Sequence, residues 1–266
     1  MNRLADGRHH HTFRQSGLKT ATICLERARM EWSGEMPNVE SDAAAVGTAV
    51  HAALEADLTT YRDMGEHFEQ ETLVELFNLE FSELMAGPDF QWIKYNEQQA
   101  REFGAKCVRH YYQELAPGLR PVECELNFTV PLWEDDERVI DLTGTIDLID
   151  GRLGIADFKT SGGGKYQEWQ YHRWAVQPTA YTYACHELGM RDISHQFTYL
   201  VMSKDGVQQF TVERDPGWWR WLKDQAVRLA RLAEADLERW PTNDTHALCS
   251  DKWCPAWSQC KGQHVS

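Results

Sequence analysis

The chain lacks any apolar run near the ~20 residues a membrane-spanning helix needs, and no apolar stretch follows its start. It therefore reads as soluble and cytoplasmic. It also lacks positive charge: 27 Lys and Arg stand against 41 Asp and Glu, a formal charge of -14. That balance excludes capture of nucleic acid by bulk attraction, so any such contact must come from local clusters such as Lys19–Arg29 or Arg214–Arg231. There is no internal repeat and no low-complexity linker. The phosphate-loop pattern Gly-x-x-x-x-Gly-Lys-Ser/Thr is missing too, which leaves ATP-driven unwinding to a partner. The seven cysteines are an odd number in an intracellular reading and do not suggest a disulfide scaffold.

What is present suits one α/β domain of 266 residues, 42% hydrophobic. Met1 to Gln15, polar and carrying His9, His10 and His11, is expected to be a loosely ordered tail. Ser16 can cap a helix running to about Trp32, and further helices are expected over Ala43–Thr60, Glu71–Met85 and Asn96–Leu115. The pattern then turns to strands at Val122–Leu132, Val139–Ile149 and Leu153–Thr160. The Asp150-Gly151 pair marks a hairpin between the last two. A helix from Pro178 to about Leu188, strands Ser194–Met202 and Val207–Val212, and a helix from Pro216 to about Arg239 follow. This order implies an α/β fold with a mixed central sheet flanked by helices. Residues 16–266 then form one domain, with a helical part to about 115, a core to about 240 and a cysteine-rich end at 241–266.

The chemistry concentrates in the hairpin. Alternation puts Asp157 and Lys159 on one side of their strand with Ile155. An odd-numbered corner brings Asp147 to that side, with 147 opposite 155; an even one sends it away. Two carboxylates that close repel unless a hard cation such as Mg²⁺ sits between them, and a lysine beside it can orient a water. An ordinary cross-strand ion pair between Asp147 and Lys159 is the plain alternative. Upstream, Gly47, His51 and Glu55 recur at helical spacing, with Gly47 permitting close approach and His51 a competent ligand or simply a surface residue. Downstream, Gln177 and Tyr181 lie one turn apart, suited to a phosphate, to the lysine or to core packing.

Gly-x-x-x-His, Gly-x-x-Asp, Asp-x-Lys-Thr and Gln-x-x-x-Tyr, in that order, resemble the RecB-like branch of the PD-(D/E)XK nucleases. The resemblance runs from Cys24 to Cys260. It implies a restriction-endonuclease-like core and a Mg²⁺- or Mn²⁺-dependent exonuclease hydrolysing phosphodiester bonds at DNA ends. His51, Asp147, Asp157 and the Phe158 carbonyl would hold the metal and Lys159 would position the attacking water. Gln177 and Tyr181 would support the lysine and the DNA backbone.

Three cysteines, Cys249, Cys254 and Cys260, crowd the tail, and Cys24 is the natural fourth for a tetrahedral site. The same superfamily includes CRISPR-associated and AddB-type nucleases in which one early and three late cysteines hold a 4Fe–4S cluster, so the resemblance implies that cluster here. The gap of four between Cys249 and Cys254 is wider than the two expected. Structural Zn²⁺ is the rival occupant, with His246 or His264 able to replace a thiolate. The glycine-rich stretch after the catalytic strand carries Lys165, Trp169 and Arg173, which could contact splayed bases or pack on the core. A DNA-end-binding subunit of a recombination or CRISPR-adaptation complex is an alternative to the exonuclease. A structural metalloprotein is another.

Overall fold

The computed structural model describes residues 2–163 and 176–260. Lys165, Trp169, Arg173 and His264 lie outside the described residues. Two short strands open the chain, β1 (Asn2–Arg3) and β2 (His9–Arg14). Helices α1 (Gln15–Ile23), α2 (Leu25–Ser33), α3 (Asp42–Met64), α4 (Gln70–Met85) and α5 (Glu97–His110) follow, with the two-residue strands β3 (Glu40–Ser41) and β4 (Phe90–Gln91) among them. The second half contains β5 (Pro121–Glu134), β6 (Arg138–Asp150), β7 (Gly154–Ser161), α6 (Val176–Glu187), β8 (Gln196–Ser203), β9 (Gly206–Glu213), α7 (Pro216–Glu234) and α8 (Trp257–Cys260).

Local chemistry sets many of these boundaries. Ser41 Oγ accepts from Ala44 N at the start of α3, and Gly65 ends that helix at φ 77. Asn96 and Gln99 close a reciprocal capping box on α5. Asp215 caps α7, whose first turn carries Pro216.

Among the described residues, seven strands form one mixed sheet ordered β1-β2-β6-β7-β8-β9, with β5 pairing β6 on its other edge. Helices cover both sides. Leu148, Ala156, Phe158, Leu200 and Met202 pack with the apolar residues of α3, α4 and α5. Ile149, Ile155, Phe197, Tyr199 and Val201 pack with those of α6 and α7 and with Leu18 of α1. The architecture is the expected mixed sheet flanked by helices, and no helix of the described residues is long and apolar enough to cross a membrane.

Two expectations need correction. The segment read as a loose tail is ordered: β2 runs parallel to β6, from His9 opposite Arg138 to Arg14 opposite Thr143. Phe13 is buried and stacks on Trp32, while His10 and His11 find acids in Asp141 and Glu234. Polar composition hid this strand because its partners lie more than a hundred residues away. Likewise the single helix expected from Ser16 to Trp32 is two helices. The first begins at Gln15 with no side-chain cap, and Cys24 adopts an extended conformation (φ -157, ψ 121) between them.

This break is where the two ends of the chain meet. Glu26 is 1% exposed. Its Oε2 accepts from Trp240 N (2.7 Å) and from Arg29 Nε (2.9 Å), and its own N–H donates to the Pro241 carbonyl (3.2 Å). Asn243 Nδ2 adds a bond to the Ile23 carbonyl (2.9 Å). Glu26→Ala leaves the buried Trp240 amide without its acceptor, while Arg29 keeps only Glu35. A buried donor left unsatisfied costs about 2 kcal/mol. A melting temperature within a degree or two of wild type would refute this latch.

Candidate active site

The site lies where β6 loses one neighbour and has not yet met the next. Because β5 takes one edge of β6, both β2 and β7 must use the other. β2 covers residues 138–143 of that edge, and β7 pairs only at 148–150, leaving 144–147 between them. Beyond Ala156, β7 keeps only β8 as its partner. Asp147 and Asp157 stand on the two sides of this split.

The corner is odd-numbered. Asp150 pairs with Gly154 and Ile149 with Ile155, so the pair expected between 147 and 155 is moved by two residues with its parity intact. Continuing the register puts Asp147 level with Asp157. Two residues build this corner. Asp150 Oδ1 accepts from Arg152 N (2.8 Å) and Leu153 N (2.9 Å), and Gly154 supplies the left-handed conformation at φ 70.

Asp147 Oδ2 lies 3.4 Å from His51 Nδ1 and accepts from the Phe158 N–H at 3.0 Å. Asp157 is fully buried, and burial together with the Asp147 charge pushes its carboxyl up to about 7. It is ion-paired with Lys159 and accepts from Gln177 Nε2 at 2.6 Å. The same nitrogen lies 3.4 Å from Tyr181 OH, whose ring is packed in the core between Phe128 and Phe197. Burial lowers the His51 imidazole from its ordinary value, against the raising effect of Asp147. His51, Asp147, Asp157, Lys159, Gln177 and Tyr181 are thus brought together. Gly47 is less constrained than expected, since a Cβ there would meet only Thr160 Oγ1 at an ordinary 3.5 Å.

Two neighbours escaped the sequence reading. Glu125 sits between Cys124 and Leu126, which pair with Leu148 and Ile146, so it is level with Asp147 on β5. Burial and the Asp147, Glu55 and Asp157 carboxylates push it up to about 7. Its backbone is left-handed at φ 49. Lys19 of α1 approaches from the other side. Burial and the Lys159 charge lower it, while Asp157 raises it. Glu125 lies within β5 and belongs to no motif, and Lys19 shows in the sequence only as one cation in a basic helix.

At the chain's joined ends, Cys24, Cys249, Cys254 and Cys260 line one cavity together with His246. None of the four is in a disulfide.

A family model for the PD-(D/E)XK nuclease superfamily matches residues 12–261. The chain belongs to this superfamily. The crystal structure of a protein from Eubacterium rectale provisionally named an exonuclease is similar in fold, at a TM-score of 0.54 and 14% identity over 90% of this chain and 87% of that one. The crystal structure of SSO0001 aligns over 95% of this chain and 87% of that one, at 13% identity and a TM-score of 0.44. No curated protein matches the sequence. As a PD-(D/E)XK protein the chain carries a nuclease fold, whose members generally use divalent metals such as Mg²⁺ to hydrolyse phosphodiester bonds.

Proposed function

We propose that this PD-(D/E)XK protein is a Mg²⁺- or Mn²⁺-dependent deoxyribonuclease of the RecB-like type, an exonuclease that works on DNA ends inside the cell. The observation that carries the reading is the meeting of Asp147, Asp157 and Lys159 at the split in the sheet, with His51 and Gln177 holding the carboxylates. A hard divalent cation fits this donor set. The buried Asp157 carboxyl is pushed up to about 7, the mark of a charge that its surroundings leave under-compensated. His51, Asp147, Asp157 and the Phe158 carbonyl would hold the ion, which when bound supplies an activated water and neutralises charge on the scissile phosphate.

The chain's own groups do the rest. Lys159 places an ammonium beside Asp157, where it can orient the attacking water and stabilise its hydroxide form. Gln177 fixes the Asp157 carboxylate through Oδ1, leaving Oδ2 toward Lys159. The Phe158 amide and His51 fix Asp147. Lys19 stands close enough to Lys159 and Asp157 to feel both charges.

A groove lined by Arg27, Val39, Ile93, Lys94, Lys252 and Trp253 offers a path for a single strand. Buried Asp42 holds one wall by accepting the N–H groups of Ile93, Lys94 and Tyr95. That wall abuts Gly162, where any Cβ would strike the Tyr95 hydroxyl, three residues past Lys159. Lys94 and Lys252 with the exposed Trp253 suit backbone contact and base stacking, although Asp42 and Asp251 also line the groove and Arg27 is paired with Glu31. Lys94→Ala and Lys252→Ala should each weaken single-strand binding. Each should also reduce the slope of log Kd against log salt by about 0.7. Unchanged slopes in both would move the path elsewhere.

A 4Fe–4S cluster held by Cys24, Cys249, Cys254 and Cys260 completes the proposal. The four cysteines line one cavity, which brings together a thiolate set suited to such a cluster, with Zn²⁺ as the rival occupant.

The test uses protein purified without oxygen and end-labelled single- and double-stranded DNA. Cleavage with Mg²⁺ or Mn²⁺ should vanish in EDTA and in Lys159→Ala, and a visible spectrum of the same sample should show the cluster. Tight binding of DNA ends by well-folded protein without cleavage would instead favour a binding subunit of a recombination or CRISPR-adaptation complex.

A further inference from the structure

His9 and His11 are two residues apart on β2, so they project to the same side while His10 turns to Asp141 on the other. On that side they meet Glu234, the last residue of α7. One ligand atom from each of His9, His11 and Glu234 lies within 4.8 Å of the others. The two imidazoles stack with centroids 6.2 Å apart, and His11 Nε2 sits 2.9 Å from Glu234 Oε1. His9 Nδ1 is buried without a hydrogen-bond partner.

We propose that His9, His11 and Glu234 form a second metal site, distinct from both the sheet split and the cysteine cavity, that takes a divalent ion favouring imidazole, Zn²⁺ foremost. Two imidazoles and one carboxylate are a borderline donor set suited to such ions, unlike the all-oxygen shells that Mg²⁺ and Ca²⁺ favour.

The surrounding charge fits a dication. Buried Arg138 contacts Glu234 through Nε and Nη2 (both 3.1 Å), but it also reaches Asp135 (3.1 Å) and Glu137 (2.6 Å). Three carboxylates around one guanidinium leave two negative charges, and nearby Arg8 is taken up by Asp6 and Glu134. Arg138 therefore keeps two carboxylate partners if Glu234 turns one lone pair to a metal. Three protein ligands leave a coordination position for water, and a cleft lined by Gly7, Arg8, His9, Arg138 and Glu234 opens there. Such an ion would tie the first long strand to the helix that leads into the cysteine tail.

The full chain, wild type and His9→Gln and Glu234→Gln, is stripped with EDTA and titrated with Zn²⁺ against a chromophoric indicator, with melting curves at each step. The cysteines and the nuclease site take up zinc equally in all three, so the difference is the readout. Both variants should bind one equivalent fewer than wild type and lose part of the zinc-dependent rise in Tm. Equal stoichiometry in wild type and folded His9→Gln overturns the site. Diethylpyrocarbonate labelling of wild type, read at His9 by peptide mass spectrometry, keeps the test open if the variants do not fold. Protection of His9 by Zn²⁺ is expected; equal labelling with and without Zn²⁺ overturns the site as well.

Discussion

Asp157→Asn should lower the rate of DNA cleavage on the order of 10³-fold without lowering the melting temperature of the metal-free protein. The carboxylate is fully buried beside Asp147. An amide fills the same volume and can still accept from Gln177 through its oxygen. It cannot supply the anionic ligand that a divalent cation requires, nor the partner that holds Lys159 in place. Removing one of two mutually repelling acids relieves the folded chain, so function and stability should move apart. Single-turnover cleavage of end-labelled DNA at saturating Mg²⁺, run beside a melting curve, decides it. Activity within tenfold of wild type would remove Asp157 from the machinery. A large fall in Tm would make it a structural residue instead.

The second large effect is expected at the joined ends of the chain. Cys24→Ala should abolish the visible absorbance of the proposed 4Fe–4S cluster and lower the stability of anaerobically purified protein. A link from Cys24 to Cys249 closes a loop of about 225 residues, for which the loss of unfolded-chain entropy is on the order of 5 kcal/mol. The measured loss should be smaller, because Glu26, Asn243 and the Trp240 and Pro241 backbone hold the same ends without the cysteines. Single-strand affinity should fall with it, since Cys254 borders both the cysteine cavity and the groove that carries Lys252 and Trp253. Unaltered absorbance and Tm in Cys24→Ala would take Cys24 out of the clasp. Loss of absorbance with unchanged DNA affinity would separate the cluster from the groove.

Periodicity and turn chemistry located most helices and strands to within a few residues. The Asp-x-Lys strand, the Asp150-Gly151 corner and the Pro216 helix start are decided by residues adjacent in the chain, and adjacency is what a sequence displays. Asp150-Gly151 alone does not set the parity of the corner, but Gly154 bears on it: the turn closes on a residue with positive φ, and glycine adopts that conformation without a Cβ penalty.

Other features depended on partners that the sequence does not name. The histidines of β2 look like a solvated tail until Asp141 and Glu234 are beside them. Glu26 looks like any helical glutamate until Trp240 and Arg29 close on it. Glu125 and Lys19 acquire meaning only from the strand register and from the docking of α1 near the Asp157 strand. By itself, then, the sequence determined the kinds and order of the elements and the residues proposed for the chemistry, because propensity, alternation and motif spacing act over a few residues. Tertiary structure alone decided which charges are buried, which acids share one row of the sheet and where the two ends of the chain meet. Those are set by burial and by Coulomb interactions over a few ångströms, between groups that can lie two hundred residues apart.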